Sequence, residues 1–335
     1  MNIKKILAWT GISAIIAGGA VFGVWHIYMH AEYSGPATSV RIPADATSEA
    51  VRDSLEVLGS YGRKAYRLWK LQDGTAIRAH GYYAVDSGLR AFDLARRMAM
   101  GRQTPLRVTF NNLRTFGQLN GVLSRRLEAD SARFAAGADS VLAPRGFTPE
   151  EYAAAVLPDT YEFYWTASPE HVFEVLADHR TGFWTPERLA KAQALGLSPE
   201  QVATVASIVE EETNKADERG KVARLYLNRL QRNMPLQADP TVKFALGDFS
   251  LRRITGEHLA VQSPYNTYVN PGLPPGPIRI AEAATLDAVL NAPDHNFLYM
   301  CAKPDFSGYH DFATTYDRHR INAARYHRAL TARGI

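Results

Sequence analysis

Ser198–Asn214, SPEQVATVASIVEEETN, reads as an apolar helix that runs into three consecutive carboxylates. Ser198 is a natural N-cap, Pro199 suits the first helical position, and Gln201 completes a capping box. Val202, Val205 and Val209 recur at helical spacing and mark a buried stripe. Three residues further on, that stripe reaches Glu212. Each residue turns about 100°, so Glu210 and Glu211 fall off the line. Glu212 is therefore expected to face the protein rather than bulk water. The negative end of the helix dipole and partial burial both disfavour its ionisation, which would let it stay protonated near neutral pH and donate a proton. The competing reading is a frayed, solvated acidic helix end, since carboxylates are mostly exposed.

The context around this helix decides between the two. The chain continues through Glu218-Arg219-Gly220-Lys221-Val222-Ala223, Leu227-Asn228-Arg229-Leu230 and Met234-Pro235-Leu236-Gln237-Ala238-Asp239-Pro240-Thr241-Val242. Tyr265-Asn266-Thr267-Tyr268 and Gly272-Leu273-Pro274-Pro275-Gly276-Pro277-Ile278 follow. In this order and spacing the blocks closely resemble the endolytic murein transglycosylase family, also called YceG-like. The resemblance is dense from Leu157 to His319 and weaker before it.

The family pattern is not matched at every position. Glu211 stands where a basic residue is usual between the two glutamates, and Ala238 stands where threonine is common. A charge at Glu211 would raise the proton affinity of Glu212 further.

Composition bounds the remaining possibilities. A chain of 335 residues suggests two domains, and 46% hydrophobic content supplies real cores. The net charge of +4 is scattered, with no basic patch interleaved with aromatics, so no nucleic-acid partner is expected. Cys301 is the only cysteine, which excludes an intramolecular disulfide and a cysteine-built zinc site. Neither a metal-binding histidine motif, nor a phosphate loop, nor a nucleophile elbow occurs, and no lysine sits in a pyridoxal-phosphate setting. No metal or organic cofactor is implied.

The expected class is α+β, with an N-terminal transmembrane helix, a small LysM-like α+β module and an α+β catalytic domain. Residues 1–5 read as a cytoplasmic tail, 6–29 as an anchor and 30–39 as a tether. Residues 40–102 form the module and 103–335 the catalytic domain. The apolar run Ile6 to Trp25 is long enough to cross a bilayer, with Trp9 and Trp25 near its ends. Lys4 and Lys5 precede it, which places the tail in the cytoplasm and the rest outside. A cleavable signal peptide is the alternative, but the apolar core is long and no clear cleavage site follows.

In the module, Val40 to Pro43 starts a strand and Gly81 to Val85 forms a second. Ser48 to Leu58, capped by Ser48, and Leu89 to Met100 read as helices, in the order strand–helix–helix–strand–helix. The resemblance implies a LysM-like domain here, and a spacer that binds nothing is the other reading. Leu106 to Phe110 reads as a strand and Gly117 to Leu127 as a helix. Leu298 to Met300 and Tyr309 to Phe312 read as a hairpin. Leu157-Pro158-Asp159-Thr160-Tyr161 resembles a family block and is expected to be structural.

The remaining site candidates come one by one. Asp239-Pro240 reads as an N-cap and first helical residue before Thr241 to Leu246. Gln237 and Thr241 can project hydrogen-bonding groups toward a sugar. Tyr265 and Tyr268 offer an apolar face and a hydroxyl to a pyranose, with Asn266 between them; each tyrosine could equally be core. Gly272 to Pro277 is expected to form a rigid cleft wall. His310 and His319 fall where the family has its histidines.

The resemblance implies cleavage of the β-1,4 bond between N-acetylmuramic acid and N-acetylglucosamine in peptidoglycan glycan strands. Glu212 would protonate the leaving oxygen, the sugar's acetamido group would stabilise the cationic centre, and the carboxylate would take the proton of O6 to close a 1,6-anhydro ring. Glu210 is the alternate or supporting acid. Expected partners are glycan strands, the inner membrane and cell-wall synthases. Two alternatives stand beside this: a hydrolytic muramidase with Asp239 or Glu210 activating water, and a non-catalytic peptidoglycan-binding or divisome scaffold.

Overall fold

The computed structural model describes residues 3–72, 74–251 and 253–334, with side chains described from residue 15 onward. The chain divides into two compact units. Unit 1 comprises residues 1–108, 126–128 and 162–167, and unit 2 the remainder.

Unit 1 contains α1 (Ile3–Met29), β1 (Thr38–Ile42), α2 (Ser48–Glu56), α3 (Gly59–Leu71), α4 (Ala76–Ala79), β2 (Gly81–Val85) and α5 (Ala91–Ala99). β1 and β2 pair antiparallel, with Val40 opposite Tyr83. One face of this ribbon buries Val40, Ile42 and Tyr83 among Val51, Leu55, Trp69, Leu94 and Met98. That alternation is what a half-buried strand requires. The helices differ from the stretches read in the sequence, since α3 and α4 lie outside both of them. Thr47, not Ser48, caps α2, its side chain accepting from the Ala50 amide. The long α3 begins at Gly59, where glycine adopts a positive φ of 61° after α2 has ended.

Among the described residues no helix is long and apolar enough to cross a membrane. The expected tail at 1–5 and the first part of the expected anchor at 6–29 fall on side chains outside the described residues.

β3 (Leu106–Thr109) and β4 (Thr160–Phe163) pair as a separate two-stranded sheet. Unit 2 contains α6 (Phe116–Arg126) up to Arg125, α7 (Ser131–Leu142), two 3₁₀ turns (Ala143–Arg145 and Pro149–Ala154), α8 (Pro169–Phe183) and α9 (Pro186–Ala194). It continues with α10 (Pro199–Glu212), α11 (Ala216–Gln231), α12 (Asp239–Leu246), α13 (Gly256–Leu259) and α14 (Ala283–Leu290). β5 (Tyr299–Ala302), β6 (His310–Ala313) and α15 (Tyr316–Ala332) complete it.

α10 begins as its sequence dictates. Ser198 Oγ accepts from the Gln201 amide at 3.2 Å, and Gln201 Oε1 accepts from the Ser198 amide at 2.9 Å. The helix is the spine of the unit 2 core, packing on Val222, Leu225 and Tyr226 of α11 and Leu286 and Val289 of α14. Every residue from Val202 to Glu210 is buried, so α10 has no solvent face over that stretch. The sequence showed a stripe; the packing uses the whole circumference, with small Ala203, Ala206 and Ser207 letting neighbours approach closely. α11 packs against it, and the β5–β6 hairpin pairs Met300 with Phe312 and Ala302 with His310.

The proline-rich segment Gly272–Pro277 packs inward. Pro274, Gly276 and Pro277 are buried, and a Cβ on Gly276 would lie 2.0 Å from the Glu150 carbonyl oxygen. Its rigidity fixes a backbone contact with the Pro149–Ala154 turn, and it does not line the cavity described next.

Candidate active site

The last residue of α10 opens onto a cavity of about 270 Å³ in unit 2. Glu212, Tyr226, Gln237, Asp239, Tyr268 and His310 supply its polar lining, with Arg229 behind them. Glu212 is partly accessible from the cavity and otherwise enclosed by protein. Tyr226 Oη donates to Glu212 Oε1 at 2.7 Å. Burial pushes the Glu212 carboxyl up to about 7; the Tyr226 hydrogen bond opposes this, the Asp239 charge adds to it, and His310 and Lys243 oppose it more weakly. A carboxyl so placed is poised to give up a proton near neutral pH.

The other two acids of the run have different partners. Glu210 is only 4% exposed, so burial alone does not single out Glu212. What each carboxylate meets does. Glu210 Oε2 accepts from the Glu282 amide at 3.0 Å and the Thr285 hydroxyl at 2.7 Å, while Oε1 forms an ion pair with Arg279 at 2.9 Å. It is absent from the cavity lining and supports the α10–α14 junction. Glu211 is clamped by Arg114 through two bonds of 2.9 and 3.1 Å and by Arg279 at 2.9 Å. The charge of Glu211 is so compensated, and the carboxylate whose charge raises the Glu212 proton affinity is Asp239.

Asp239 departs from its expected role. Ala238 is the N-cap of α12, and the Asp239 carboxylate accepts from Tyr268 Oη at 2.6 Å at the cavity. Gln237 also faces the cavity, on a backbone with φ of 52° that is uncommon for a residue with a Cβ. Arg229 holds it there, donating to the carbonyls of Pro235, Leu236 and Leu298 at 2.7–3.0 Å and to Gln237 Oε1 at 3.3 Å.

Three expected contact residues lie elsewhere. Thr241 is fully buried and bonded to the Ala238 carbonyl and the Thr267 hydroxyl. Asn266 is fully buried and latches its own loop, donating to the carbonyls of Leu259 and Val261 and accepting from the Tyr268 amide. Tyr265 packs against Phe244 with ring centroids 4.7 Å apart. These three build the loop that presents Tyr268.

Tyr226, Arg229 and Glu218 were missed by reading the sequence. Glu218 Oε1 accepts from the His310 amide at 2.9 Å; its Oε2 lies 2.8 Å from His310 Nδ1 and accepts from Thr213 Oγ1 at 3.1 Å. Thr213, the C-cap of α10, thus ties the helix end that carries Glu212 to the carboxylate that holds His310. His319 stacks on Tyr299, with centroids 5.5 Å apart, and is absent from the cavity lining.

The chain is similar to several known proteins. An endolytic murein transglycosylase of Bacillus subtilis is 42% identical over 107 residues, which are 32% of this chain and 29% of that protein. One of Streptococcus pneumoniae is 22% identical over 335 residues, covering 89% of this chain and 60% of that protein. The chain thus spans less than two thirds of the length of these relatives. A solved YceG-like protein from Listeria monocytogenes shares the fold, with a TM-score of 0.57 and 24% identity over 85% of this chain and 98% of that one. The YceG-like family model matches residues 40–325, and the chain belongs to the YceG-like family.

Proposed function

We propose that this chain is an endolytic lytic transglycosylase that cuts within peptidoglycan glycan strands, with Glu212 as its acid and then its base. The observation that carries this reading is a carboxyl pushed up to about 7 by burial, bonded to Tyr226, at the wall of a polar cavity. Its relatives' names point to the same substrate.

Glu212 donates its proton to the O4 leaving oxygen as the bond to the muramic acid C1 breaks. The neighbouring acetamido oxygen closes on C1 and carries the positive charge within the sugar. The 6-hydroxyl then attacks C1, the acetamido group is released, and the O6 proton returns to the Glu212 carboxylate. Enzyme and proton count are restored without water. Tyr226 serves both states, since a hydroxyl donor supports the carboxylate form through Oε1 and leaves Oε2 for the transferred proton. Tyr268 and Gln237 offer hydroxyl and amide groups suited to sugar oxygens.

A hydrolytic muramidase is the second reading, because Asp239 places another carboxylate in the same cavity. Weighing the products of the full chain on purified glycan strands separates the two. Fragments ending in 1,6-anhydro sugar, each lighter by one water than a reducing end, support the transglycosylase. Reducing ends mean hydrolysis, and intact strands mean a binding scaffold.

The same reading takes the N-terminal apolar run as an inner-membrane anchor, with residues 40–102 as a LysM-like module and 103–335 as the catalytic domain outside the membrane near cell-wall synthases. Reporters fused at residues 1 and 335 should report cytoplasmic and extracytoplasmic locations respectively. A C-terminal reporter active in the cytoplasm would rule out this placement.

A further inference from the structure

Glu212 shares its cavity with an imidazole. That imidazole is His310, at the start of β6. Glu218 offers His310 an oxygen at 2.8 Å from Nδ1, and the Thr213 hydroxyl and His310 amide also donate to that carboxylate. A carboxylate oxygen only accepts, so Nδ1 carries the hydrogen. In the neutral ring the remaining nitrogen, Nε2, then presents a lone pair. Nε2 has no hydrogen-bond partner among the described residues, and His310 lines the cavity that Glu212 opens onto. Glu218 is itself only 6% exposed, so its buried charge holds the ring rather than solvent.

We propose that His310, oriented by Glu218, is a further catalytic residue that relays the O6 proton during ring closure. This rests on the transglycosylase reading. The 6-hydroxyl gives its proton to Nε2 as its oxygen bonds to C1, and the imidazolium is stabilised by Glu218. Nε2 then passes that proton to the Glu212 carboxylate, so both groups finish as they began. A carboxyl that gives the first proton and an imidazole nitrogen open to the cavity share one site, and this is the arrangement that divides acid from base work. The charged and titratable groups around His310 are Glu218 and Arg229 on α11, Glu212 on α10, Asp239 on α12 and Tyr226 and Tyr268 at the cavity wall.

The test uses the full chain on purified glycan strands, following anhydro-ended product over a range of pH. In His310→Asn, kcat should fall by about 100-fold with KM within about twofold, and the acid-side loss of kcat should disappear. In Glu218→Gln, which preserves a carbonyl acceptor for Nδ1 but removes the counter-charge of the imidazolium formed in the relay, kcat should fall by about tenfold with KM little changed. Nitrogen-15 NMR of the wild-type ring at neutral pH should show Nδ1 protonated and Nε2 bare, whatever the activity. A His310→Asn enzyme with wild-type kcat and an unchanged acid side would overturn the relay. So would a ring protonated at Nε2 alone. Absence of anhydro product from the wild type would instead overturn the underlying function, which keeps the two failures distinct.

Discussion

Tyr226 donates its hydroxyl to Glu212 Oε1 across 2.7 Å and so joins α11 to the final residue of α10. The bond favours the ionised carboxyl, whereas burial favours the neutral one, and burial prevails. The acid therefore sits near neutrality by a balance between two opposing effects.

Removing the phenol should shift that balance. Tyr226→Phe keeps the ring in the core and deletes the donor, so the Glu212 carboxyl should hold its proton to higher pH. The alkaline fall of kcat/KM, placed near 7 in the wild type, should move up by about one unit. A pH–rate profile of the two enzymes checks this. An unchanged or downward shift would mean that Tyr226 does not set the acid.

The same shift has a consequence for stability. Glu212 binds its proton more tightly folded than unfolded, so its contribution is fully present below about 4.5 and is lost as pH rises through about 7. Glu212→Gln lacks this loss. Relative to wild type it should gain stability between those limits, by at most about 3 kcal/mol and by less where cavity water screens the charge. Thermal melts of both proteins at pH 4 and pH 8 give the comparison. Parallel melting across that range would contradict the raised proton affinity.

Gly276 makes a purely structural prediction. A methyl group there would approach the Glu150 carbonyl oxygen to 2.0 Å, against backbone that cannot rotate away. Gly276→Ala should cost about 3 kcal/mol of stability. A melting temperature equal to wild type would show that the contact yields freely.

The sequence made the α10 boundaries legible because they are set locally, by Ser198, Pro199 and Gln201 at one end. The β5–β6 hairpin and α12 were readable for the same reason. Partnerships between distant residues were not. Nothing in the spacing of Glu212 and Tyr226 announces a contact, because it depends on how α11 packs against α10. Asp239 looked like an ordinary cap, and only the position of Tyr268, set by the Asn266 latch, turns its carboxylate to the cavity. Periodicity pointed to Glu212 for an incomplete reason. The helix is buried all round, and Glu210 is distinguished by meeting Arg279 and Thr285.

That distinction gives the most direct measurement: the rate of anhydro-product release by Glu212→Gln and Glu210→Gln, each verified as folded by circular dichroism. Glu212→Gln keeps the shape of the side chain but has no proton to give, and should lose activity by about 1,000-fold or more. Glu210→Gln weakens a buried ion pair, and should lose about 3 kcal/mol of stability while retaining measurable turnover. An active Glu212→Gln beside a folded but inactive Glu210→Gln would contradict the assignment of Glu212 as the acid.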